Sequence, residues 1–198
     1  MNDSPAPIRP GGPWAEATAS IRAASPRRDL HLEEISAPAG LAPDSIAFSA
    51  DVHPAAHGID SELGVGRFIV LHDETAPEAW DGAFRVVCYA QAPLDLQIGA
   101  DPLLPEVAWS WLIDALDGRG AMHHAASGTA TTVLSTGFGA LAEEGRGAQI
   151  EFRASWTPLD TSLGVHLEAW GDFLCMLAGL PAEEGVVGLD ARRSHRDR

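Results

Sequence analysis

The chain has 198 residues, 45% of them hydrophobic, a formal net charge of −15, and arginine at all thirteen basic positions. Without lysine there is no Schiff base, no lysine-held pyridoxal phosphate, no Walker-A loop and no Ser-Lys dyad. The length fits one domain with a core of useful size, and no stretch approaches the roughly 20 apolar residues of a membrane helix.

Residues 1–13 are polar and rich in Pro and Gly, without the apolar run of a secretory signal, so a cytoplasmic location is expected. Residues 1–28 read as an N-terminal tail with a short helix over 14–24, stopped by Ser25 and Pro26. A single α+β domain is expected over 29–186. Residues 29–35 alternate like a strand, and Ile46, Phe48, Ala50 and Val52 share one face of a second. Residues 53–63, with Pro54 and Gly58, read as a loop. Residues 66–72 and 83–91 are β-branched and aromatic runs. The polar connection between them, with Glu78, Trp80, Asp81 and Gly82, suggests an antiparallel meander.

Asp101, Pro102 and Pro105 mark a helix start, and the helix runs to about Asp117. Leu104, Val107, Ala108, Trp111 and Ala115 form one apolar stripe, and Trp109, Leu112, Ile113 and Leu116 a second. Burial on more than one side is expected. After Gly118 and Gly120, residues 129–136 and 149–157 read as strands joined by a Gly-rich, acidic connection. Residues 165–178 read as a last helix, closed by Gly179 and Pro181. Disorder is expected beyond Pro181, above all in the basic tail 187–198. The order α-β-β-β-β-α-β-β-α predicts an antiparallel sheet of about five to six strands with helices mainly on one face. Strand and helix do not alternate strictly, and Gly64-Val65-Gly66 precedes a strand, so a doubly wound nucleotide-binding fold is disfavoured.

Between Asp29 and Asp190 there are 25 acids and five arginines. Such a body repels phosphate, so neither direct nucleic-acid binding nor an anionic membrane is expected, and a protein partner or self-association is left. The same charge also serves plain solubility. Cys88 and Cys175 sit among apolar neighbours and read as buried free thiols. His123-His124 and the His53/His57 pair match no zinc spacing and read as surface histidines. His-Glu-x-x-His, Gly-x-Ser-x-Gly and Cys-x-x-Cys are all absent, and no catalytic residue, metal ligand or cofactor is assigned.

Arg67, Arg85 and Arg153 fall on three predicted strands, with Tyr89 on the face of Arg85. Converging there, they would hold a carboxylate or phosphate; the alternative is cross-strand pairing with acids. Trp109, Trp111, Trp170 and Glu106 are interface candidates, although tryptophans more often serve as core or half-core. Glu168 and Asp172 share a helix face, with His166 pointing elsewhere. They are either a general acid-base or cation-binding pair, or a solvated face.

Several segments stand in a fixed order: Asp29-Leu30-His31-Leu32-Glu33-Glu34-Ile35, Gly66-Arg67-Phe68, Glu78-Ala79-Trp80-Asp81-Gly82, Asp101-Pro102-Leu103-Leu104-Pro105-Glu106-Val107, Trp109-Ser110-Trp111-Leu112, Arg153-Ala154-Ser155-Trp156-Thr157-Pro158-Leu159 and His166-Leu167-Glu168-Ala169-Trp170-Gly171. The set, spanning roughly 29–186, resembles an actinobacterial family of unknown function, number three thousand in the series of such domains. The resemblance implies an intracellular protein of high-GC Gram-positive bacteria and brings no activity or catalytic residue with it. The element order is also similar to that of type III secretion chaperones, an analogy of topology alone. A non-catalytic protein-binding or adaptor module, chaperone-like in character, is therefore expected. The alternative is an enzyme or sensor for a small anion held by the strand arginines.

Overall fold

The structure, a computed structural model, describes residues 11–53 and 63–181. The expected disordered tail, most of the 53–63 loop and His57 lie outside these described residues. The chain forms α1 (Pro13–Arg22), β1 (Leu30–Ile35), β2 (Asp44–Val52), β3 (Val65–His72) and β4 (Phe84–Leu94), then a one-turn α2 (Leu96–Gly99) and α3 (Leu104–Gly118). There follow β5 (His123–Thr136), a 3₁₀ turn (Gly139–Glu144), β6 (Arg146–Pro158) and α4 (Leu163–Leu177). The six strands make one antiparallel sheet in the order β1-β2-β3-β4-β6-β5. It is the α+β architecture that the periodicities predict.

Alternation divides the sheet into two faces. Phe48, Phe68, Cys88 and Ala154 follow one another across β2, β3, β4 and β6, and they join Val70, Val86, Phe152 and Trp156 in the buried core. The helices cover this face. α4 is the central one, packed on β2, β3 and β4 and flanked by α1 and α3. Its burial extends to Leu163, His166, Leu167, Trp170, Phe173, Leu174 and Leu177, which makes it the hub of the core. Gly66 allows that packing: a Cβ there would lie 2.5 Å from Trp170 Cζ2.

Four local expectations are revised. Residues 13–22, read as part of a tail, dock on α4 through Ala17, Thr18 and Ile21, and Ser20 Oγ accepts from the Gly164 N–H at 2.9 Å. α3 buries a single stripe of Leu104, Ala108, Leu112 and Leu116, while Val107 is 39% exposed and Trp109 and Trp111 are half-buried. Only one stripe is buried because α3 lies at the margin of the layer, where one side meets α4 and the sheet. β5 begins at His123 instead of Thr129, and an irregularity between His124 and Ser127 takes up the extra length. The one-turn α2, absent from the expected order, is started by Asp95, whose carboxylate accepts from Gln97 N at 2.8 Å.

Candidate functional site

Among the described residues no helix covers the second face of the sheet, and it carries the strand arginines. Ser49, Arg67, Tyr89, Arg153 and Thr129 stand opposite one another in one cross-strand row. Arg153 lies over the Tyr89 ring, 5.3 Å from its centroid, and its Nη2 is 3.0 Å from Glu151 Oε2. The Tyr89 hydroxyl donates to Gln91 Oε1 at 2.7 Å. Burial, and then the charge of Glu151, raises its pKa, so the phenol stays neutral. Arg67, Ser49, Asp51 and Tyr89 border a concavity of about 460 Å³.

Arg85 does not join this group. It donates to Thr157 Oγ1 at 2.9 Å, Ser155 Oγ at 2.6 Å and the Ala125 carbonyl at 3.0 Å. Thr157 Oγ1 in turn donates to the Trp80 carbonyl. The guanidinium therefore pins β4, β6, the start of β5 and the 73–83 connection, and burial pulls its pKa down. The expected threefold convergence reduces to Arg67 and Arg153 flanking Tyr89, with Arg85 in a separate, structural position.

Glu168 and Asp172 are committed to the protein. Arg119, just past α3, meets Asp172 with two parallel bonds of 2.7 and 3.0 Å and Glu168 with a third of 3.0 Å. Glu168 Oε1 also accepts from Ser25 N at 2.7 Å. One cluster ties α3, α4 and the end of the α1 segment together, so neither the acid-base pair nor the solvated face describes it. His166 points away as expected: its Nδ1 accepts from Trp156 Nε1 at 3.0 Å in the core. Among the described residues no group of three or more His, Cys, Asp or Glu side chains is placed to hold a metal ion.

The interface candidates separate. Trp170 is fully buried, its ring tilted against Phe68 with centroids 5.5 Å apart, and has no surface to offer a partner. Trp109 is half-buried at the other margin, 6.2 Å from Phe152. With Pro105, Glu106, Gly128 and Ala130 these two rings line a groove of about 280 Å³ between α3 and β5. Gly128 is what lets α3 approach, since a Cβ there would meet Trp109 Cζ3 at 2.8 Å and the Arg153 carbonyl at 2.6 Å. Trp111 is half-buried and packs against the core margin.

Among the described residues β5 pairs on one side only, with β6, and is an edge strand. Residues 121–142 contain no Asp, Glu or Arg, so no charge guards this edge, and Leu134 (55%), Phe138 (79%) and Leu141 (55%) are exposed on it or just beyond it. The opposite edge, β1, presents His31, Glu33 and Glu34. The uncharged run is readable in the sequence. That it forms an edge is not.

These features define an α+β domain on an antiparallel sheet with a polar row on the face away from its helices and one uncharged edge. The chain belongs to the family described as "Protein of unknown function (DUF3000)", whose model matches residues 11–187. The match takes in α1 as well as the span read from the sequence. No curated protein and no solved structure matches the chain. Among the described residues no helix is long and apolar enough to cross a membrane.

Proposed function

We propose that the protein is a protein-binding module in which the partner adds a strand to β5, with Trp109 and Glu106 framing the groove beside it. The observation that carries this reading is the long β5 edge without charge or proline, in a chain whose net charge is −15. An unpaired strand edge offers a row of N–H and C=O groups to an extended backbone, and the adjoining groove takes a side chain of the docked strand. No catalytic residue enters this reading, because the paired carboxylates are held by Arg119 and the buried histidine by Trp156.

The alternative, a small anion held by three strand arginines, has less support: Arg85 is engaged by Thr157, Ser155 and Ala125, and Arg153 by Glu151. Arg67 beside Tyr89 is what it keeps.

A photo-crosslinking amino acid at position 132, on β5, is expected to give protein adducts in the cells that make the chain, whereas the same group at position 33, on β1, gives none. A probe at 132 that captures nothing, or both probes capturing equally, rejects the docking edge.

A further inference from the structure

The charge pattern of the sheet edges points to what occupies β5, and the inference rests on the reading of β5 as a docking edge. We infer that the occupant is a second copy of this chain, paired antiparallel, β5 to β5, about a two-fold axis at Thr132, so that two sheets become one.

The first support is electrostatic. Two copies that each carry −15 repel, and they can meet closely only where both surfaces lack charge. Self-pairing at β1 would bring Glu33 and Glu34 of both copies together, and like charges opposed across strands are destabilising. At β5 no acid opposes another, because residues 121–142 have none. A strongly basic partner would instead be expected to seek the acids elsewhere on the body.

The second support is geometric. A strand pairs with its own copy in any register centred on a residue, because opposite residues then share a face. Gly128, Ala130, Thr132 and Leu134 pair with Ala154, Phe152, Ile150 and Ala148 on the helix-covered face. An axis at Thr132 sets Leu134 opposite Ala130 of the other copy, at the mouth of the groove formed by Trp109, Glu106 and Phe152. The groove, about 280 Å³, is large enough for a leucine side chain, and Leu134 is 55% exposed before it is filled. The symmetry fills both grooves at once.

The purified full chain is expected to sediment at twice its 20.9 kDa mass. Leu134→Asp, at an exposed position, is expected to weaken association about tenfold or more by carrying a carboxylate into each groove. Oxidation of Thr132→Cys should give a disulfide-linked dimer, while Thr129→Cys, displaced along the strand from the axis, stays unlinked. The native Cys88 and Cys175 are buried and do not compete. A wild-type chain that remains monomeric at every concentration overturns the inference. So does cross-linking at 129 in place of 132, or an undiminished dimer in a folded Leu134→Asp variant. A monomeric purified chain whose probe at 132 still captures a different protein in cells rejects the second copy and leaves the docking edge standing.

Discussion

His166 is a histidine held where a second ring proton, and with it a positive charge, is disfavoured. Burial, and then the nearby charge of His123, pulls its pKa from 6.5 to about 4. Its Nδ1 takes the Trp156 N–H, so the neutral ring carries its own proton on Nε2, which has no partner among the described residues. The folded pKa lies below the unfolded one, so the unfolded chain binds the proton more readily. The stability this residue contributes is complete above about pH 6.5 and is lost as the pH falls from there toward 4, up to about 3 kcal/mol. In denaturant titrations across that range, His166→Gln should show a shallower fall than the wild type. Identical slopes would refute the assignment. The sequence showed a histidine on a helix pointing away from Glu168 and Asp172, but its burial beside Trp156 depends on β6 and α4 meeting in the core. The same limit hid the Arg119 cluster, whose members are far apart in the chain.

Among the elements, the α1–α4 contact was invisible in the sequence for a similar reason. Residues 13–22 are too few to form a stable helix alone, and what holds them is the close approach at Gly164. A Cβ on Gly164 would lie 2.5 Å from the Ser20 carbonyl oxygen, in rigid helix backbone. Gly164→Ala is therefore expected to cost about 1–3 kcal/mol by prying α1 off. Gly118→Ala, at the end of α3 with nothing within 4 Å of the added carbon, is expected to be neutral or slightly stabilising. Thermal unfolding of the two variants checks the contrast, and equal midpoints would contradict it. The six strands and the three longer helices were legible, because periods of 2 and 3.6 report one-sided burial directly, whereas the one-turn α2 is too short to show a period. Which side of α3 would be buried was not: the buried row takes Leu104 and Ala108 from one apolar stripe and Leu112 and Leu116 from the other, a choice made by the neighbouring α4 and sheet.

For the whole molecule, charge sets the conditions of association. A body with 25 acids and five arginines between Asp29 and Asp190 repels its own copies, while the β5 contact itself is uncharged. Added salt screens the first and leaves the second intact, so self-association should tighten as sodium chloride is raised. Sedimentation equilibrium at low and high salt measures this. Weakening with salt would mean that the contact is made between opposite charges, against the uncharged edge.

Composition and periodicity determined the fold class, the absence of lysine chemistry, the acidic body and the candidate residues, because each depends on residue type and near-neighbour spacing. Tertiary structure decided which of those candidates share a surface. Register placed Arg67, Tyr89 and Arg153 in one row and drew Arg85 away to Thr157 and Ser155. Strand order made β5 an edge and β6 an interior strand, although β6 follows β5 in the chain. Pairing between distant segments is a choice made by the whole core, and local sequence carries no record of it.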